Sequence, residues 1–324
     1  MKGSIILVGA GGMGAVHHAN WQHIEGAEVL AVVGKGEGDE ARAKAWHLPL
    51  YGTLSEALKE KDANIVDICT PSFLHADYIR DAFKLKKQVI VEKPVALSSK
   101  EAKAAYREAT KAERQLYVAQ VVQFTKPIMH LREITKSGIY GNVRSAHFVR
   151  LSAAPAWSES NWLYAKEKSG LIPYDLHIHD LDVLVSLFGK PDSAEAFPSK
   201  GAFSRTCDHY DFLYRWKERT ITAEASWYPA SSFPFDTSFR VAYDKAVVVS
   251  DKTGMFVYPA GREPVILDTR DEILIPTGIN VPPTGWYYNE LTHFLTCAKA
   301  NRPSPFVTEE QVVGTLETLE SMEF

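Results

Sequence analysis

Along the first 120 residues, short apolar runs alternate with stretches in which hydrophobic residues recur every three or four positions. The runs Ile5–Val8, Val29–Val33, Ile65–Thr70, Val89–Glu92 and Tyr117–Gln120 are apolar almost throughout. That is the pattern of strands covered on both faces, as in a parallel sheet. Helix starts fall between them at Thr53 with Glu56 and Ser98 with Glu101, each fitting a capping box that satisfies free backbone N–H groups. Strand–helix alternation with short links predicts right-handed crossovers and a doubly wound sheet.

After about residue 122 the period changes. Helical patterns persist at Lys126–Ser137, Asp175–Phe188 and Glu290–Asn301, whereas Asn142–Leu151, His209–Trp216, Thr220–Trp227, Phe239–Ser250 and Gly254–Tyr258 alternate polar and apolar residues. Alternation predicts antiparallel strands with one packed face, and Lys217-Glu218-Arg219 reads as a hairpin turn. The expected fold is therefore α/β. Residues 1–122 form an N-terminal doubly wound (Rossmann) parallel sheet, and residues 123–324 an α+β domain on a large, mainly antiparallel open sheet. Tyr214, Trp216 and Trp227 are expected on that sheet's outer face, a surface suited to a homo-oligomer, dimer or tetramer.

Composition narrows the class. With 324 residues, two domains are expected, and 45 % hydrophobic with 23 % charged residues excludes a disordered or fibrous chain. A net charge of -4 gives no global field for nucleic acid. Cys69, Cys207 and Cys297 are too few and scattered for a disulfide framework or zinc cage. The apolar run Ile5–Val8 breaks at Gly9, and no stretch reaches the roughly 20 apolar residues of a membrane helix. A cytoplasmic protein with no membrane or nucleic-acid partner is the expectation.

Three segments carry candidate chemistry. Gly9-Ala10-Gly11-Gly12-Met13-Gly14 follows the first strand and opens a helical stretch, Met13–Trp21. In that context G-x-G-x-x-G is a dinucleotide loop. Its glycines allow a tight turn, close approach of pyrophosphate and close helix–sheet packing, while the helix N-terminus favours negative charge. The second strand ends at Val33, followed by Gly34-Lys35-Gly36. The acid that would accept ribose hydroxyls is missing there and a cation is present, which favours NADP over NAD, although Glu37 or Asp39 could still supply the acid. Glu92-Lys93-Pro94 puts a charged pair at the C-terminal edge of a buried strand, where open α/β sheets bind ligands. Finally, in Tyr174-Asp175-Leu176-His177-Ile178-His179-Asp180-Leu181-Asp182 a helical spacing puts Asp175, His179 and Asp182 on one face. His177 and His179, two apart, point in different directions, which argues against a metal site.

In order and spacing these segments resemble the Gfo/Idh/MocA family of NAD(P)-dependent oxidoreductases. The resemblance extends to Thr70-Pro71-Ser72-Phe73-Leu74-His75, Ser137-Gly138 with Gly141-Asn142-Val143, and Asn289-Glu290-Leu291-Thr292-His293-Phe294. It implies a catalytic group of Lys93, Asp175 and His179: the lysine holds the reacting hydroxyl, the histidine takes its proton, and the aspartate orients the histidine or a neighbouring hydroxyl. It also implies that Gly34, Lys35, Thr70, Pro71, Leu74, His75, Glu92, Lys93 and Gln120 border the cofactor beside the glycine loop. Lys93, Gln123, Trp157, Asp175 and His179 would then meet a sugar or polyol. Trp157, Trp162 and Trp286 fall in loop-like stretches, where aromatic faces suit sugar rings or simple core packing. Departures from the pattern are His177, where many relatives carry glycine, and Gln123-Phe124, where an arginine often precedes the phenylalanine. The end at Phe324 is short for the family. Two other readings stay open: a glycosidase that uses its cofactor transiently, and a catalytically silent dinucleotide sensor.

Overall fold

The computed structural model describes residues 3–156, 159–202, 204 and 206–324. Six parallel strands, β1 (Gly3–Val8), β2 (Ala27–Val33), β3 (Leu50–Tyr51), β4 (Ile65–Ile68), β5 (Gln88–Glu92) and β6 (Leu116–Ala119), lie in the order β3-β2-β1-β4-β5-β6. Helices α1 (Gly12–Trp21), α2 (Glu37–Ala45), α3 (Leu54–Glu60), α4 (His75–Lys84) and α5 (Ser99–Ala112) connect them. All residues of β4, β5 and β6 are buried, which is why those runs do not alternate. Thr53 and Ser98 accept from the backbone N–H of Glu56 and Glu101, each at 3.2 Å, so both expected caps start helices. The two-residue edge strand β3 is too short to leave a pattern in the sequence. The order reverses between β1 and β4, and the crevice beyond their C-terminal ends is where such sheets bind ligands.

The second layer begins with α6 (Lys126–Ser137) and the long strand β7 (Val143–Ala153). A short helix, α7 (Lys166–Ser169), precedes a π-helical turn over Pro173–His177, which runs directly into α8 (Ile178–Phe188). Seven further strands follow: β8 (Ser193–Ser199), β9 (His209–Trp216), β10 (Arg219–Tyr228), β11 (Asp236–Tyr243), β12 (Ala246–Asp251), β13 (Gly254–Pro259) and β14 (Val265–Leu267). They join β7 in the order β14-β13-β12-β11-β7-β10-β9-β8, antiparallel except for the β7–β10 pair. The chain closes with α9 (Trp286–Lys299), packed on α1, and α10 (Glu309–Glu320), packed on α5 and α8.

The expected run Phe239–Ser250 is two strands, because Asp244-Lys245 turns the chain between β11 and β12. The aromatic expectation is also corrected. Tyr214 and Trp227 are buried, and the Trp216 indole N–H donates to Gly189 at the end of α8. Successive strand side chains face opposite ways, so these residues share the packed face with Tyr210, Phe212 and Ile221, against the π-turn and α8.

Candidate functional site

The dinucleotide loop leaves β1 at Gly9, whose φ of +84° is accessible to glycine without strain. A Cβ at Gly14 would lie 2.1 Å from the Gly9 carbonyl oxygen, so only glycine lets α1 seat against the turn. A Cβ at Gly11 would meet nothing within 4 Å; that face of the loop is open to the cleft. These are the three roles a pyrophosphate-binding loop requires.

Of the two acids the sequence left open after β2, Glu37 and Asp39, the second organises this loop. Asp39 accepts from the Ala10 N–H at 2.7 Å and from the Lys35 and Gly36 N–H groups at 3.0 Å each. Arg42 donates to the Ala10 carbonyl at 2.7 Å. A Cβ built on Gly34 would lie 2.4 Å from the Asp39 carboxyl carbon. The carboxylate therefore fills the space that a side chain at the end of β2 would take.

The loop opens into a cleft of about 570 Å3 between the two sheets. Gly9, Gly11, Gly12, Met13, Gly34 and Lys35 line one half of it, together with Asp39, Thr70, Pro71 and Leu74. Glu92, Lys93, Asp175 and His179 line the other, beside the aromatic residues Phe73, Trp162, Trp227, Phe235 and Tyr287. Lys93 Nζ donates to the Asp175 backbone carbonyl at 2.6 Å and to its carboxylate Oδ1 at 2.9 Å. An ammonium has three N–H bonds, so among the described residues one remains for a ligand oxygen. The π-turn makes this possible by presenting the carbonyl and side chain of Asp175 on the same side. It also shifts the helical phase, so Asp182 leaves the cleft face and accepts from Gln123 and Gln311 at 2.6 and 2.7 Å in the interior.

His179 reaches the cleft from the first turn of α8. Desolvation by the surrounding protein, then Lys93, Arg150 and His177, hold its imidazole well below the usual histidine range, and therefore neutral. Arg150 itself is locked by two bonds to the buried Asp180, at 2.9 and 2.7 Å. His177 points the other way, with Nε2 2.5 Å from the Tyr214 hydroxyl and its ring stacked on Phe212.

Other expected residues sit elsewhere. Gln123 is fully buried and does not line the cleft; its amide joins Asp182 to Arg132. Gln120 is likewise buried, with its backbone N–H on Val118. His75 braces two loops from behind, its nitrogens 2.8 Å from the Pro94 and Thr70 carbonyls. Ala10 and Gly14 shape the loop from its buried side. Trp157 lies outside the described residues. Trp286 borders a separate cavity of about 60 Å3 next to Arg150 and Asp180. Tyr287 and Ser152, which do line the cleft, carried no sequence signal beyond ordinary core and strand patterning.

The family model described as the oxidoreductase family with an NAD-binding Rossmann fold matches residues 4–120, and the GFO/IDH/MocA C-terminal domain matches 128–249. A 2,7-anhydro-N-acetylneuraminate hydratase of Escherichia coli is 27 % identical over 57 % of this chain and 49 % of its own. The chain thus spans about half the length of several curated relatives it matches. Inositol 2-dehydrogenase 1 of Paenarthrobacter aurescens is 24 % identical, with 80 % of this chain and 77 % of that one aligned. A levoglucosan dehydrogenase structure in complex with NADH and levoglucosan superimposes with a TM-score of 0.81. It covers 98 % of this chain and 97 % of that one at 18 % identity, a likeness of fold. No helix among the described residues is long and apolar enough to cross a membrane.

Proposed function

The chain belongs to the Gfo/Idh/MocA oxidoreductase family, and from that premise we propose that it transfers a hydride between a nicotinamide dinucleotide and a sugar, polyol or related hydroxy/keto compound. One observation carries the reading: a cation with an unused N–H and a neutral imidazole face the same cleft as an intact dinucleotide loop. The nicotinamide, when bound, accepts or donates the hydride. The remaining chemistry belongs to this chain. Lys93 binds the reacting oxygen through its third N–H and stabilises negative charge as the hydroxyl proton leaves. Asp175 holds the ammonium in place through two bonds, one from its carbonyl and one from its carboxylate. His179, kept neutral, receives the proton in oxidation and returns it in reduction. The aromatic lining offers faces to a sugar ring and keeps water from the reacting carbon. On this reading residues 1–122 hold the cofactor and contribute Lys93 to the substrate site, and residues 123–324 supply the rest of that site.

The carboxylate of Asp39 at the end of β2 supports NAD over NADP, reversing the preference that Lys35 alone suggests: a fixed anion there attracts ribose hydroxyls and repels a ribose phosphate. The outer face of the large sheet, where Val247, Val249, Phe256, Tyr258 and Ile266 pair across β12, β13 and β14, is the proposed self-association surface.

The decisive experiment is nicotinamide absorbance across a panel of sugars and polyols with wild type, Lys93→Met and His179→Ala. Removing the base should lower turnover about 100-fold or more. Unchanged turnover in either variant would remove that residue from the mechanism, and glycoside cleavage without net cofactor change would replace the reading. Tighter binding of NADPH than NADH would overturn the cofactor assignment.

A further inference from the structure

Directly behind Lys93 lies a buried charge cluster that the proposed reaction does not use. His17 of α1 is fully buried. Its Nδ1 lies 3.0 Å from each oxygen of Asp67, and its Nε2 lies 3.0 Å from Glu92 Oε1. A ring nitrogen facing a carboxylate carries a hydrogen, so two such contacts make the ring an imidazolium. Burial is the largest single influence and opposes that charge, but Asp67, with a smaller contribution from Cys69, outweighs it and lifts the group well above its ordinary value.

The surrounding groups fit a ring held charged. On β4, Asp67 also accepts from the Trp21 indole N–H at 2.7 Å, and the Cys69 thiol lies 3.7 Å from its other oxygen, kept protonated by burial. On β5, Glu92 is gripped twice, by the imidazolium at Oε1 and by the backbone N–H of Lys93 at Oε2, 3.1 Å away. From α9, Tyr287 and the fully buried Glu290 approach. Burial and then Glu92 raise the Glu290 carboxyl well above its ordinary range, leaving it a neutral acid. From α4, His75 is kept neutral by burial. Beyond Lys93, the next charge is Asp175. His17, Asp67 and Cys69 each offer one ligand atom within 4.8 Å of the others, but both ring nitrogens already face carboxylates, so protons fill the positions a cation would take.

We propose that His17 is a positioning residue for Lys93: it anchors Glu92 and neutralises its charge, so that Glu92 holds the lysine backbone without competing with Asp175 for the ammonium. The inference rests on the reading of Lys93 as the group that binds the reacting oxygen. It ties the helix carrying the dinucleotide loop to the strand end carrying the lysine through one imidazole ring.

The test compares His17→Gln, His17→Gln/Asp67→Asn and His17→Gln/Glu92→Gln with wild type and Lys93→Met, using pre-steady-state hydride transfer and pH profiles of kcat. The first two variants free the Glu92 charge. They should lower kcat about tenfold or more, leave both KM values within about threefold, and move the profile to higher pH by about one unit or more. The Asp67→Asn partner removes the second unpaired carboxylate, so that variant remains informative if the single one folds poorly. Adding Glu92→Gln removes the freed charge and should return the profile towards wild type. Loss of thermal stability with an unmoved kcat and profile would reduce His17 to a structural role and overturn the proposal. A stoichiometric metal in purified wild type would overturn it as well. Full hydride transfer in Lys93→Met would instead sink the functional reading on which it rests.

Discussion

On the two sides of the Glu92-Lys93 pair, the protein holds one fully buried histidine charged and another, half-buried at the cleft, neutral. His17 lies between Asp67 and Glu92, and His179 lies among Lys93, Arg150 and His177. Burial pushes both imidazoles towards the neutral form. Neighbouring groups then decide the outcome: Asp67, with Cys69, overcomes burial at His17, while Lys93 and Arg150 reinforce it at His179. The contrast suits the two places. The role proposed for His17 needs a fixed cation to hold a backbone segment beneath the cleft, whereas the base proposed for His179 must be free to receive a proton.

The largest way to break the contrast is to remove the cation behind His179. Arg150→Met would leave the buried Asp180 carboxylate without its two bonds, at a cost of about 3–5 kcal/mol in chemical unfolding. Arg150→Met/Asp180→Leu should recover most of that loss, because the unpaired charge goes too. With Arg150 absent, His179 loses one opposing cation, so the acid limb of the kcat profile should move up towards the ordinary histidine value near 6.5. A small loss in the single variant would show that Asp180 finds another partner.

A middle-sized effect tests the neutral side through pH. Burial, then Arg150, lowers His177 to about 3. The unfolded chain titrates near 6.5, so below that pH the unfolded state binds the extra proton and stability falls as the medium is acidified. Between pH 6 and 4, the stability of wild type should therefore drop more steeply than that of His177→Gln. The difference is about 1.4 kcal/mol per pH unit, the value of one proton. His17 differs in sign. Its raised value means that its stabilisation is complete below the unfolded pKa and lost only as pH rises through the folded one. Replacing it should leave the acid slope unchanged. Parallel slopes for wild type and His177→Gln would show that His177 is charged in the folded state.

The sequence carried the parts of this arrangement that depend on local pattern. The apolar runs became β1, β2, β4, β5 and β6, and the glycine spacing became a loop whose clash and open face match its roles. Strand β8 was not legible, because Ser193–Ser199 is largely exposed and contains Pro198; it pairs only because β9 offers an edge. The π-turn was hidden as well. A regular helical wheel puts Asp175 and Asp182 on one face, but the turn sends one to Lys93 and the other to Gln123. His17 and Asp67 are 50 residues apart, and their meeting depends on the β1–β4 pairing. Yet an aspartate inside the wholly buried strand Ile65–Ile68 was itself a signal, since such a charge demands a partner. Gln123 misled for the converse reason: a polar residue just after a strand end need not face the cleft, and this one satisfies Asp182 instead.

The smallest expected effect distinguishes charge from shape beside His17. Glu290 is fully buried, and neither carboxyl oxygen has a hydrogen-bond partner among the described residues. Burial and the neighbouring Glu92 favour its protonated form. Glu290→Gln exchanges one neutral polar group for another of nearly equal size, so it should change stability at neutral pH by less than about 1.5 kcal/mol. Asp67→Asn in the same cluster removes a charge that faces the imidazolium and should cost about 3–5 kcal/mol. The raised value at Glu290 also fixes the sign with pH. Its stabilisation is complete below the unfolded carboxyl range and is lost as pH rises through the folded value, so Glu290→Gln should improve relative to wild type as the medium becomes alkaline. A loss as large as that of Asp67→Asn would mean that Glu290 is ionised and supplies a third carboxylate to His17. The imidazolium would then owe its charge to the whole cluster instead of to Asp67 and Glu92.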